Sequence, residues 1–209
     1  MTSESYDAIA ASYADNLFDE LKGKPLDRHL LNRFAEGVKD RGIVADIGCG
    51  PGQIARYLSE QGVQVSGIDL SSEMVRVARE RNEGIEFRIG DMTSLDIADG
   101  SLAGIVAFYS IIHLDGNDLF RALREFRRAL ATDGVLFLAF HVGDETHHVD
   151  DMWGHSVSLD FHFLRPENVK TALESAGFVV TESTEREPYE GAEHASRRCY
   201  LFAKAVSPA

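Results

Sequence analysis

Between Gly42 and Phe140 the chain repeats one pattern: a short apolar run, a turn, and an amphipathic stretch at helical spacing. The runs are IVADIG (43–48), VQVSGIDL (63–70), IEFRIGDM (85–92), LAGIVAFYS (102–110) and VLFLAF (135–140). Between them lie QIARYLSEQ (53–61), SEMVRVARERN (72–82) and NDLFRALREFRRAL (117–130). In the last of these Leu119, Leu123, Phe126 and Leu130 share one helical face, with charges opposite. Gly62, Gly84 and Asp133–Gly134 stand where the helices should stop. Strands alternating with helices predict a parallel sheet covered on both faces. Unbroken runs such as IVAF and VLFLAF fit strands buried on both sides.

Outside this core the rhythm changes. Two helix-like stretches, around 4–20 and 25–37, precede the first strand and are expected to pack over the sheet edge, with Tyr6, Tyr13 and Phe18 partly buried. After residue 140 comes a connection of some 25 residues (141–165), polar and then alternating. It is expected to form a substrate lid over the ligand edge. Pro166 opens a further helix that ends before Gly177. FVVTEST (178–184) and RCYLFAKA (198–205) are joined only by a loop, so an antiparallel pair is the simplest arrangement.

The 209 residues suffice for one α/β domain and are too few for two ordinary ones. A single domain over 1–209 is expected, with 1–41 as a helical cap. The formal net charge of −13 argues against a broad basic surface for nucleic acid or an anionic membrane. No apolar run approaches the ~20 residues of a membrane span, and the N-terminus lacks the basic start and apolar core of a signal peptide. Cys49 and Cys199 form no metal or redox motif, so a reducing cytoplasm is the expected location.

The stretch VADIGCGPGQIARYL (44–58) turns the first strand into the first helix through Gly48, Gly50 and Gly52. A Gly-rich turn there exposes backbone N–H groups and admits a ligand closely. Asp69 ends the second strand, where a carboxylate accepts two hydrogen bonds from a ribose diol. The glycine spacing is G-C-G-P-G rather than the dinucleotide pattern G-x-G-x-x-G, and Pro51 removes a donor that a pyrophosphate would use. Asp91, after the third strand, is placed to accept from an exocyclic amine, with the Met92 backbone at a ring nitrogen. A mononucleoside carrying an amino acid fits these parts better than a dinucleotide does.

DIGCGPG (46–52), GIDLS (67–71), GDMTSLDIADGSL (90–102), AFYSIIHL (107–114) and FRRALATDGVLFLAF (126–140) resemble the class I S-adenosylmethionine-dependent methyltransferases. The opening YDAIAASYADNL is similar to the small-molecule branch of that family. The resemblance implies an α/β, doubly wound, mostly parallel seven-stranded sheet with an antiparallel last strand. It places Asp46, Gly48, Cys49, Gly50 and Gly52 against the methionine moiety of S-adenosylmethionine (SAM), and Asp69 on the ribose. Leu70 and Met74 are to pack near sugar and adenine, with Asp91 and Met92 at the adenine edge. The backbone at Phe108 is to accept from the amino group, and Tyr13 is a further cofactor contact. Ala103 stands where many relatives have Asp, at the end of the strand far from the ligand, so no loss of function is expected.

Methyl transfer from a sulfonium needs a positioned nucleophile, exclusion of water and, where the nucleophile carries a proton, a base. His113 is the candidate base or substrate contact; local packing or helix capping is the alternative. Tyr109, His141, Trp153 and Arg197 are candidate substrate contacts, each with a structural alternative in the core or a solvated loop. His147, His148, His155 and His162 mix with acidic residues, yet their spacing matches no compact metal motif, and a solvated acidic lid is preferred. The reading is therefore a methyltransferase for a small-molecule acceptor, releasing S-adenosylhomocysteine (SAH) and working as a monomer or homodimer. The alternative is a catalytically silent SAM-binding regulatory protein.

Overall fold

The computed structural model describes residues 2–191 and 193–206. Helix α1 (Thr2–Leu17) leads through a 3-10 turn (Glu20–Gly23) into α2 (Pro25–Val38). The alternating core follows: β1 (Ile43–Ile47), α3 (Gln53–Glu60), β2 (Val65–Asp69), α4 (Ser72–Arg81), β3 (Glu86–Ile89) and β4 (Leu102–Phe108). A short 3-10 turn (Ile111–His113), α5 (Gly116–Ala129) and β5 (Leu130–His141) complete it. The chain ends with β6 (Thr146–Met152), β7 (His155–His162), α6 (Pro166–Ser175), β8 (Phe178–Arg186) and β9 (Arg198–Ala205).

Seven strands form one sheet in the order β3-β2-β1-β4-β5-β9-β8, with β1 to β5 parallel and β9 antiparallel to both its neighbours. The order reverses between β1 and β4, which opens a crevice at their carboxyl ends. The strands alternate their side chains between two apolar layers. On one face Ile105, Leu136, Leu138 and Phe140 meet Leu123 and Phe126 of α5. On the other, Val106, Phe137 and Phe202 meet Leu31 and Phe34 of α2 and Leu58 of α3. The helices start where the sequence provides a cap. Asp115 accepts from the N–H groups of Asn117 and Asp118 at 2.8 and 2.9 Å, and Ser71 accepts from Met74 at 3.1 Å.

Two expectations change. Helix α2 lies on a sheet face, because Leu30, Leu31, Phe34 and Val38 form a stripe too apolar for an edge. The 141–165 connection contains a hairpin, β6 against β7, turned by Trp153 and Gly154 at φ 53° and 80°. Positive φ at both central residues matches the strands' own twist. The hairpin buries Val157 and Leu159 against Ile9 of α1, and α1 in turn sets Ala10 and Ala14 on Met74 and Val77 of α4. Helix and hairpin thus stand together above the carboxyl ends of the strands.

Candidate active site

The turn after β1 answers its own question in two ways. Gly48, Gly50 and Gly52 all have positive φ, at 71°, 52° and 85°. A Cβ on Gly48 would fall 2.2 Å from Ser110 Cβ, and one on Gly52 2.6 Å from Asn82 Nδ2 and 2.8 Å from the Phe87 ring. Protein atoms exclude side chains at these two positions. Gly50 differs: a Cβ there would meet nothing closer than 3.9 Å, and the residue lines a cavity of about 270 Å³.

The N–H groups of the turn are spent inside the protein. Gly48 and Cys49 donate to the Ile68 carbonyl at 2.7 and 3.1 Å, Gly52 to Cys49 at 3.0 Å, and Gly50 to Asp69 Oδ2 at 2.8 Å. Pro51 has none. The turn itself therefore offers a ligand none of the free N–H donors expected of it. The cavity offers acceptors instead. Asp69 takes Gly50 N–H on Oδ2 and Ser71 N–H on Oδ1, each at 2.8 Å, and the carboxylate keeps acceptor capacity to spare. Asp91 Oδ1 accepts from the Thr93 N–H and hydroxyl at 2.7 and 2.8 Å. Asp46 Oδ2 accepts from Ala55 N–H in the first turn of α3 at 3.0 Å.

Electrostatics follow from this burial. Asp46 is 1% exposed, and burial pushes its pKa up to about 8 against the pull of the Ala55 N–H. Burial also raises Asp69 and the Cys49 thiol, which leaves Cys49 a packing group rather than a nucleophile. Phe108 and Tyr109 close the β4 end. Tyr109 holds φ at 56°, an uncommon conformation for a bulky residue, kept there by its N–H on the Ala139 carbonyl at 2.9 Å. Its hydroxyl meets the Tyr200 hydroxyl at 3.0 Å.

His113 stands on the cavity wall with both ring nitrogens engaged. Nδ1 lies 2.9 Å from the Asp160 carbonyl oxygen, which only accepts, so Nδ1 carries the proton. Nε2 then accepts from the Tyr6 hydroxyl at 2.7 Å. Burial lowers its pKa to about 4. This neutral, fully bonded imidazole is a weak base, and it ties the β4 end to α1 and the hairpin.

Tyr13, Leu70, Met74 and Met92 line the same cavity, and Gly52 stands behind it. Of the candidate substrate contacts only Tyr109 reaches it. His141 packs behind the Tyr109 ring at 5.1 Å, and Trp153 behind Tyr13 at 5.8 Å. Arg197 forms exposed ion pairs with Glu185 and Glu187 at 2.9 and 3.0 Å. Among the described residues, no group of three or more His, Cys, Asp or Glu is arranged to hold a metal. Tyr6, Ser110 and Gln53 also line the cavity. The spacing of Tyr6 and Tyr13, seven residues apart on α1, was the available signal for the first.

A Rossmann-like sheet with a cavity lined by carboxylates at its switch point is the architecture of the class I SAM-dependent methyltransferases. The comparisons agree. A methyltransferase-domain family model matches residues 44–134. The demethylmenaquinone methyltransferase of Thermotoga maritima is 26% identical over 203 residues, covering 84% of this chain and 87% of its own. A SAM-dependent methyltransferase structure from Methanosarcina mazei matches with a TM-score of 0.73 at 20% identity, over 82% of this chain and 95% of that one. The glycopeptide N-methyltransferase MtfA, solved with SAM, matches at a TM-score of 0.66 and 18% identity, over 87% and 94%. The chain spans 53%, 66% and 42% of the lengths of the first curated relatives it matches. Residues 44–134 thus carry a methyltransferase domain, and the chain shares the fold of SAM-dependent methyltransferases. No helix among the described residues is long and apolar enough to cross a membrane.

Proposed function

We propose that this chain transfers the methyl group of SAM to a small-molecule acceptor by in-line displacement. One observation carries the reading: a cavity at the β1–β4 switch point is rich in acceptors, has no free turn N–H, and is roofed by Tyr6 and Tyr13 of α1. A turn whose own N–H groups are spent, beside several carboxylates, suits a cationic nucleoside–amino acid better than a pyrophosphate. When bound, SAM supplies a methyl group already activated on a sulfonium. Asp69 holds the ribose hydroxyls with its spare acceptor capacity, and Leu70 and Met74 pack on the sugar and base. Asp91 and the Met92 backbone meet the adenine edge. Asp46, Gly48, Cys49 and Gly50 flank the methionine end, where the Phe108 backbone accepts from the amine and Tyr13 adds a contact. Gly52 acts indirectly, by letting α3 start against Asn82 and Phe87.

The acceptor enters between Tyr109, Tyr6 and His113. These groups exclude water and orient the nucleophile; a His113 with a pKa near 4 contributes position rather than proton abstraction. The net charge of −13 disfavours a polyanionic acceptor. Relatives named for small or carrier-bound acceptors, a dTDP-amino sugar N,N-dimethyltransferase of Streptomyces fradiae and a malonyl-[acyl-carrier protein] O-methyltransferase of Serratia marcescens, support this range. The test is incubation with methyl-labelled SAM and a panel of amine, hydroxyl and carboxyl acceptors, reading SAH release. Acceptor-dependent release is expected. Tight SAM binding with no release across the panel would favour the regulatory binder.

A further inference from the structure

One polar atom in the cavity wall has no partner. Gln53, the first residue of α3, is 9% exposed, and its Oε1 accepts no hydrogen bond. The far side of the amide fixes its orientation. Nε2 donates to Glu20 Oε1 at 3.3 Å, and Glu20 Oε2 receives Lys24 Nζ at 2.5 Å. An ionised carboxylate only accepts, so the NH₂ faces Glu20 and the carbonyl oxygen faces away from it. It faces the glycine turn, 3.9 Å from where a Cβ on Gly50 would stand, and Tyr13 Cε1 lies at the same distance from that point. A buried amide oxygen without a donor is costly in the free protein, so a ligand that brings a donor binds there with gain.

The acceptors along the carboxyl edge follow the strand order. Asp91 lies beyond β3, Asp69 at the end of β2, Asp46 near the end of β1, and Gln53 at the start of α3, just past the glycine turn. A ligand laid across them meets Asp91 and Asp69 with its adenine and ribose and reaches Gln53 with its amino-acid end. That end carries one strong donor, the α-ammonium. We infer that Gln53 Oε1 accepts a hydrogen bond from the α-ammonium of SAM, which makes Gln53 a cofactor-binding residue and the Glu20–Lys24 pair its positioning support. The inference rests on the cavity being the SAM site.

Calorimetric titration with SAH, and with its analogue in which hydrogen replaces the ammonium, tests both levels separately. Wild-type protein binds SAH and prefers it to the analogue. Gln53→Met, similar in length and without an acceptor, reduces that preference by about tenfold or more, while affinity for the analogue changes less than threefold. Gln53→Glu, which keeps an acceptor, retains the preference. Thermal unfolding of each ligand-free variant confirms that the ratio is read on folded protein. Equal weakening of both ligands by Gln53→Met, or weakening of neither, overturns the inference alone. Failure of wild-type protein to bind either ligand overturns the cofactor reading and the inference with it.

Discussion

The Tyr6 hydroxyl and His113 Nε2 lie 2.7 Å apart, joining the first helix to the end of β4 across the roof of the cavity. Because Nδ1 is committed to the Asp160 carbonyl, this bond fixes one tautomer. The His113 pKa is lowered to about 4 by burial, against an ordinary value near 6.5. Above pH 6.5 the ring is neutral folded or unfolded and contributes no pH dependence. As pH falls from 6.5 toward 4 the unfolded chain takes up the proton first, and stability drops by up to about 3 kcal/mol. Urea unfolding at pH 4.5 and 7 should show a smaller acid loss in His113→Gln than in wild type. Methyl transfer should show no inflection near pH 6.5 that His113→Gln removes.

Asp46 pulls the other way. Its folded pKa of about 8 exceeds the unfolded value near 4, so the native state holds a proton that the unfolded chain has released. Stability therefore falls as pH rises between those values. From pH 6.5 to 8 His113 is silent, and Asp46 alone should remove on the order of 2 kcal/mol. Asp46→Asn keeps an acceptor for Ala55 N–H and has no charge to bury. The difference between its unfolding free energy and that of wild type should grow across this window. A difference that stays constant from pH 6.5 to 8.5 would sink the assignment.

The alternation of apolar runs and helical faces is a local signal, and it located all five parallel strands and the glycine turn that follows the first. What the sequence did not reveal depends on pairings across long separations. The Ile68 carbonyl that consumes two turn N–H groups comes from the next strand. The loop between β8 and β9 offered a substrate contact at Arg197 or a solvated hairpin, yet its Glu193 is buried against Arg186, which also pairs with Asp27, 159 residues away. The β6–β7 hairpin did carry a legible cue, Val157, Leu159 and Phe161 alternating behind Gly154. Its polar outer face and its Trp153–Gly154 turn obscured it.

The glycine turn separates folding from binding. Gly48→Ala drives a methyl group into Ser110 at a positive φ, and should cost about 3 kcal/mol of stability. Gly50→Ala has room for its Cβ and pays only for backbone strain, about 1 kcal/mol. That methyl projects toward the cavity, so Gly50→Ala should weaken SAH binding at least tenfold in a well-folded protein. Thermal unfolding and calorimetry on the two variants check the contrast. Equal destabilisation with equal loss of binding would show that Gly50 acts only on the fold.

Arg186 anchors a buried charge cluster behind Tyr109. It reaches Asp27 Oδ2 at 2.9 Å, Glu193, and the Tyr200 hydroxyl at 2.9 Å, and Tyr200 donates to Asp27 Oδ1 at 2.9 Å. Arg186→Met leaves buried Asp27 without its ion-pair partner and Glu193 with only Lys24 and Arg198, at 3.5 and 3.4 Å, and should cost about 3 kcal/mol. Adding Asp27→Asn removes one of those charges and should recover part of the loss. Additive costs in the double variant, measured by urea unfolding, would contradict a coupled cluster.

Cofactor binding should release protons. SAM brings an ammonium, a carboxylate and a sulfonium, together a net positive charge, into a cavity where burial holds Asp46 protonated at neutral pH. A cation beside a buried carboxyl favours its ionised form and lowers its pKa. At pH 7, then, binding expels a fraction of a proton from Asp46, and at pH 9, where the carboxyl is mostly ionised, it expels little. SAH lacks the sulfonium charge and should release less. Titrations at pH 7 in buffers of different ionisation enthalpy measure the number directly. Release that persists in Asp46→Asn, or that is the same for SAM and SAH, would place the titrating group elsewhere.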